Sequence, residues 1–524
     1  MRPLSACLVC RERRKRCERA YGTTSCNFCK RRRLECLMAP KPDSDQEEPY
    51  ELLKHHSHAT NLHSAAGRPL GEGLIVELAD LYFDTLQGGF PYLFHRATFM
   101  DDVRDGSVPM ILLYGVIGLS ARFSADGVFG DVGPWQRGRP YVKEAERMLD
   151  LHHVTLTTIQ ACVLLAINFA IDADSAAECV YLAIASRMAL LLDLPNASTK
   201  SPLEKELNHR VWWSIVTTDT WCSANLCLPR AIPLSENVPL LVDERTFSEM
   251  QRDDLVECGK CPDESVSLFS PLAHLAKLNK LLYEIHQLNT KIANDCLSLT
   301  DAHDAINGLG ASLDRWSSEL PQDMQYTQSN MAHWTAEGFG NIFATLHINY
   351  NHASQLLFYQ FLYPSHTVSG TFSTGLVNSY AIRCKQHAAA LCDLIFNARE
   401  AHALDLRFIT LGHIVVIAST VHIHSLLFST DEEEIRLARL RLERNFETIT
   451  RLHTYWPTVS ASFSRLQAFH RACLKSTKSS FRLDRWMLRF MLEFSQPMDE
   501  RVDELAGEAD TSKPFGQLQY LLDR

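Results

Sequence analysis

Six cysteines crowd the first 36 residues: Cys7, Cys10, Cys17, Cys26, Cys29 and Cys36. Their spacing is C-x2-C-x6-C-x8-C-x2-C-x6-C, two copies of one unit joined by an eight-residue loop. A C-x2-C pair curls two thiolates onto one metal at the start of a helical turn. A cysteine seven residues further on returns to the same side after two turns. Each unit therefore offers three sulfurs to a cation that takes four, and six thiolates satisfy two tetrahedral zinc ions if two sulfurs bridge. Two divalent cations and six thiolates leave an excess of negative charge, which helix N-termini and neighbouring Lys and Arg offset. A module of about 36 residues buries too little apolar surface to fold alone, so the metal supplies its folding free energy.

The cations are placed around these ligands. Arg11, Arg13, Arg14, Lys15 and Arg16 lie between the second and third cysteines, and Lys30, Arg31, Arg32 and Arg33 follow the fifth. Residues 1–40 hold eleven Lys/Arg against three acids, a net +8, in a chain of 524 residues whose total is −10. A cationic head on an acidic body points to nucleic acid or an anionic surface as the partner of the head. Guanidinium groups suit bidentate contact with guanine O6 and N7, and the second basic run suits phosphates. Either run alone also reads as a nuclear-import signal or a solvated face. No apolar run follows Arg2 before Cys7, so the N-terminus does not read as a signal peptide. A reducing compartment is expected, where clustered cysteines bind metal rather than pair as disulfides.

This spacing, with basic residues filling the first x6 gap, resembles the fungal binuclear zinc-cluster (Zn(2)-Cys(6)) transcription factors. The resemblance implies that Cys7 and Cys26 bridge two zinc ions, with Cys10, Cys17, Cys29 and Cys36 terminal. It also implies a helix N-terminus entering the major groove of double-stranded DNA. Arg14, four beyond Cys10 and flanked by Arg13, holds the family's base-reading place, and CGG-type half-sites are the implied target. One departure is the loop Glu18–Ser25, which lacks the proline many members carry before the fourth cysteine; Gly22 can supply the turn, with altered loop geometry.

What must hold this head is a linker and a large body. Residues 41–73, with Pro42, Pro49, Pro69 and few large apolar side chains, have linker composition. Tyr50 and Leu53 begin a heptad that Ser57 and Thr60 break, so no coiled coil is expected. A homodimer would use the regulatory domain. His55, His56, His58 and His63 have no fixed ligand spacing and read as solvated. From Leu74 onward, apolar residues recur every three or four positions in Leu74–Leu86, Pro109–Phe123, Thr158–Ile171, Ala177–Leu194, Val211–Leu226 and Ile435–His453. The stretch Phe408–Phe428 has membrane-spanning length. His413, His422 and His424 dilute it, and a buried core helix is expected, with no membrane partner.

Several stretches are similar to the middle homology region that follows the cluster in this family: Asp80–Phe83 with Phe90–Phe99, Ala183–Ala189, and Arg210–Asp219. Where the family often continues Gly-Arg-Pro, this chain has Leu228-Pro229-Arg230, and the course of that turn is left open. Trp212 and Trp213, about 100° apart on a helix, read as packing residues rather than ligand stackers. Cys258 and Cys261 form a lone C-x2-C, read as two thiols in a loop, and the charged interval 244–267 is expected to interrupt two helical lobes. Residues 498–524 mix acids with apolar side chains, a composition that suits either a coactivator-binding activation segment or a frayed terminus.

The expectation is a mainly α protein. It comprises a small N-terminal binuclear zinc cluster of two short helices (1–40), a flexible linker (41–73), a large all-α regulatory domain (74–497) and an acidic C-terminal tail (498–524). Its expected role is that of a nuclear, zinc-dependent, sequence-specific regulator of RNA polymerase II transcription. It would act on a metabolic or biosynthetic gene set, with activation favoured over repression. No GxGxxG, GxxxxGK[ST], HExxH or GxSxG motif occurs, so no catalytic residues are assigned. The competing readings are a zinc- or redox-sensing regulator and an enzyme carrying an accessory zinc module.

Overall fold

The computed structural model describes residues 26–32, 70–233, 238–254, 269–363, 374–476, 479–499 and 501. The chain divides into two compact units, Met1–His58 and Ala59–Arg524. Of the first, the described part is one short helix, α1 (Asn27–Arg32). Among the described residues there is no strand, in line with the all-α expectation for the body.

The second unit begins with α2 (Glu72–Thr85), α3 (Arg96–Asp105), α4 (Met110–Ser120), α5 (Arg139–Met148), α6 (Leu156–Ile171) and α7 (Ser175–Leu191). It continues with α8 (Pro202–Asn225), the short α9 (Glu244–Glu249), α10 (Pro271–Ala293), α11 (Leu299–Ser318), α12 (Gln328–Ala336) and α13 (Gly340–Phe358). It closes with α14 (Thr374–His402), α15 (Leu411–Phe428), α16 (Glu432–His453), α17 (Val459–Lys475) and α18 (Arg485–Leu492).

The ends of these helices are written locally. Thr155, Asp174, Ser201, Ser270, Ser298, Thr327, Asp431 and Asp484 each accept a hydrogen bond from a first-turn backbone N–H of the helix they precede. Each satisfies a donor that the helix cannot, and replacing such a cap by Ala typically costs about 1 kcal/mol. Pro202 and Pro271 occupy the first helical position, where a missing N–H is harmless. Helices consecutive along the chain pack most closely, as in α6–α7, α13–α14 and α15–α16. Short connections impose this: only residues 172–174 join α6 to α7, and Ala173 makes the reversal with φ 62°.

One continuous apolar core runs from Leu70 to Met491. At its centre lies α15, the helix long and apolar enough to cross a membrane, of which 78% is buried inside the protein. Ile414, Val415, Val416 and Ile417 are wholly buried, each worth about 1.5–3 kcal/mol of transfer free energy. The histidines that dilute this helix are absorbed into the fold. His413 Nε2 lies 2.9 Å from the Met491 carbonyl, His424 Nε2 3.0 Å from that of Leu362, and His422 3.4 Å from the Cys392 thiol. Burial depresses the basicity of all three.

Two expectations are corrected. Leu70 is buried and α2 starts at Glu72, so the last residues assigned to the linker already belong to the helical body. The interval 244–267 does not simply interrupt the helices: within it α9 sends Glu244 and Phe247 into the interior. The reason is an ion-pair partner, Arg210, that a reading of local charge density does not include. Cys258, Cys261 and the linker histidines lie outside the described residues. So does the tail beyond Arg501, which is buried and ion-paired to Asp484.

Candidate functional site

Of the six proposed metal ligands the structure describes Cys26 and Cys29; Cys7, Cys10, Cys17 and Cys36 lie outside the described residues. Cys26 immediately precedes α1, and both thiols are fully buried. The backbone N–H of Cys29 donates to Cys26 Sγ at 3.4 Å, while the N–H of Lys30 donates to the Cys26 carbonyl at 2.9 Å and opens the helix. The i, i+3 spacing therefore puts two sulfurs on one side of one turn, one of them already accepting an amide. This donor set fits zinc, which takes sulfur ligands tetrahedrally and favours thiolates with such polar support. Lys30, Arg31 and Arg32 form the last turn of the same helix and are exposed. Arg11, Arg13, Arg14, Lys15, Arg16 and Arg33 lie outside the described residues. Among the described residues no three metal-ligating side chains converge.

In the body, two of the stretches singled out from sequence, Phe90–Phe99 and Arg210–Asp219, meet at one place. Arg210 on α8 is wholly buried; its Nε donates to Glu206 at 2.9 Å and one Nη to the Val242 carbonyl at 2.8 Å. The other Nη lies 3.7 Å from Glu244. The guanidinium sits 3.9 Å from the ring centroid of Phe247 and 4.9 Å from that of Tyr92, a desolvated cation between aromatic faces. Burial pushes the Glu244 carboxyl up to about 7 against the pull of Arg210. The opening motif is tied to the same helix: Tyr92 N–H donates to Ser214 Oγ at 2.7 Å, and Ser214 donates to the Arg210 carbonyl. Gln160 on α6 reaches the Leu93 carbonyl at 2.7 Å. Tyr82, Phe83, Phe94 and Phe99 pack edge-on or tilted against one another.

The turn left open by the sequence is held by Asp219. Its carboxylate accepts the backbone N–H groups of Ala231 (3.0 Å) and Ile232 (3.3 Å), with Arg230 at 3.5 Å. Trp212 and Trp213 are buried, and Trp213 Nε1 donates to the Pro239 carbonyl, so both are packing residues as expected. Glu206 and Glu244 were missed. An acid at i−4 from Arg210 on a helix was the available signal for the first; nothing local signals the second.

Residues 79–318, which include the whole Arg210 anchor and the Asp219 turn, match the fungal specific transcription factor domain. An uncharacterized transcriptional regulatory protein of Schizosaccharomyces pombe is 23% identical over 54% of this chain and 32% of its own length. A second from that yeast is 21% identical over 76% of this chain and 53% of its own. A Zn(2)-C6 fungal-type transcription factor of Fusarium oxysporum is 25% identical over 32% of this chain and 20% of its own. The chain thus spans at most about half the length of these relatives. Over residues 79–318 the chain is thus similar to the fungal specific transcription factor domain, and the relatives it resembles are themselves named as transcription regulators.

Proposed function

We propose that the chain is a nuclear regulator that binds double-stranded DNA through residues 1–40 and receives regulatory input through the helical body that begins at Leu70. The residues between these two parts act as the linker. The observation that carries this reading is the Cys26–Cys29 turn, with two buried thiols, an amide donated to one of them, and an exposed Lys30–Arg32 end on the same helix. Cys7, Cys10, Cys17, Cys26, Cys29 and Cys36 would hold two zinc ions, Cys7 and Cys26 shared between them. The metal supplies a cross-link that replaces the apolar core such a short module lacks. The chain's own residues do the reading. Arg14, with Arg13 beside it, offers a planar pair of donors to guanine O6 and N7 of a CGG-type half-site. Lys30, Arg31, Arg32 and Arg33 neutralise phosphates, and Arg11, Lys15 and Arg16 add to that field. The acidic body repels DNA, which confines contact to the head.

Self-association would use the helical body. The acidic tail, residues 498–524, would engage a coactivator, and the regulated genes would be metabolic or biosynthetic. The test uses the full chain: zinc by elemental analysis, then binding to a CGG duplex and a scrambled duplex before and after chelation. Two zinc ions per chain and a chelator-sensitive preference for CGG are expected. One zinc or fewer, or equal affinity for both duplexes, refutes the reading.

A further inference from the structure

In the middle of the body α2, α6, α7, α8 and α10 do not close completely and leave a cavity of about 120 Å³. Protein cores rarely hold a void much larger than one water molecule. A cavity of about 150 Å³ lined by apolar side chains accepts a benzene-sized guest. The aromatic walls here are Tyr82, Phe90, Trp221, Phe408, Trp456 and Phe494. Trp456 and Phe494 lie beyond residues 79–318, so an occupant would bridge the matched domain to the C-terminal part of the body.

Among the polar side chains of the lining, Glu178 and Thr217 stand apart. Glu178 on α7 is 4% exposed, and its Oε2 has no hydrogen-bond partner within the protein. Thr217 on α8 is 8% exposed, and its Oγ1 is likewise unpartnered. The contrast with its neighbours is informative. Thr218 donates to the Ser214 carbonyl at 2.8 Å and Thr220 to that of Val216 at 2.9 Å, the usual way a helical threonine satisfies itself. Thr217 does neither. Buried polar atoms are nearly always paired, so two unpaired ones lining one cavity indicate a partner from outside the chain. No Lys or Arg is among the lining residues, so a ligand anion would find no counter-charge. Burial pushes the Glu178 carboxyl up to about 8, which keeps it a neutral O–H donor near pH 7.

We propose that this cavity binds a small uncharged aromatic molecule bearing one hydroxyl or carbonyl oxygen, its ring among the aromatic walls and its oxygen toward Glu178 and Thr217. Glu178 donates to that oxygen, and the Thr217 hydroxyl donates to it or accepts from it. An anionic analogue of the same size is excluded because it would lose its hydration without gaining a partner.

The test uses the full chain with benzyl alcohol, benzoate and toluene as probes, read by calorimetry and ligand-observed NMR. Benzyl alcohol is expected to saturate one site per chain and to bind at least tenfold more tightly than benzoate. Thr217→Val keeps the side chain's shape and removes its hydroxyl. It should weaken benzyl alcohol by about fivefold, the value of one hydrogen bond, while toluene is unaffected or improved. Circular dichroism and the melting temperature verify that the variant is folded. As a second variant, Ala170→Leu narrows the cavity wall and should weaken both neutral probes together. Absence of saturable binding by benzyl alcohol, parity with benzoate, or an unchanged affinity in Thr217→Val each overturns the proposal. None of these readouts depends on zinc or DNA, so failure here leaves the reading of the head untouched.

Discussion

Glu178→Gln is the sharpest test of the physical reasoning about the body. Glu178 is 4% exposed, and the Cys222 thiol lies within hydrogen-bond reach of its carboxyl. Burial raises its pKa from 4.5 to about 8, and raises that of Cys222 as well, so the thiol stays neutral across the same range. Because the folded value lies above the unfolded one, the folded state holds the proton more tightly. Its contribution to stability is complete below about pH 4.5 and is lost as pH climbs towards 8. At 1.36 kcal/mol per unit, the loss is about 1 kcal/mol at pH 5 and about 3 kcal/mol at pH 7. Glutamine has nearly the same shape and no proton to lose. The stability difference between Glu178→Gln and the parent should therefore grow by about 3 to 4 kcal/mol between pH 5 and pH 8, in favour of the variant, about 1.4 kcal/mol per unit at first. Urea unfolding of both proteins across that range gives the difference directly and cancels every other titrating group. A gap that stays constant with pH, or shrinks, would show that the carboxyl is solvated and that the argument about its burial is wrong.

Arg210→Ala leaves Glu206 and Glu244 buried beside each other without their cation, and should cost about 3–5 kcal/mol; adding Glu206→Gln should restore part of that, and strict additivity of the two changes would refute the network. Gly138→Ala would place a methyl carbon 1.9 Å from the Gly118 carbonyl oxygen, backbone against backbone where α4 meets α5. A loss of at least about 2 kcal/mol in thermal or chemical unfolding is expected, and a neutral result would mean the two segments are not in contact. In the head, Arg14→Ala should abolish the preference for CGG over scrambled duplex, whereas Arg32→Ala should weaken binding to both and lower the slope of log affinity against log salt by about 1. Equal losses on both duplexes for Arg14→Ala would refute its assignment as a base reader.

The parts of the molecule legible in the residue order are those governed by local rules. The six helical stretches named from apolar spacing followed because one buried face recurs every 3.6 residues; the caps that open α6, α8 and α10, Thr155, Ser201-Pro202 and Ser270-Pro271, were not read, though they too act within three residues. The C-x2-C pair was legible for the same reason, since one helical turn is enough to bring Cys26 and Cys29 together. That α15 is a core helix followed from its three histidines, which need hydrogen-bond partners that lipid does not supply.

Only the tertiary structure could decide the rest. Glu244 sits in a charged stretch that reads as a surface interruption, yet it is buried because Arg210, 34 positions earlier, neutralises it; Coulomb attraction in a dry interior does not depend on sequence separation. Glu178 and Thr217 look like ordinary helical residues, and their vacant hydrogen-bonding capacity exists only because five helices leave a gap around them. Hydrophobic periodicity and capping are interactions over a few residues, and the order of the residues therefore specifies them. Cavities and buried charge networks arise from how distant surfaces fit, a property of the packed chain as a whole.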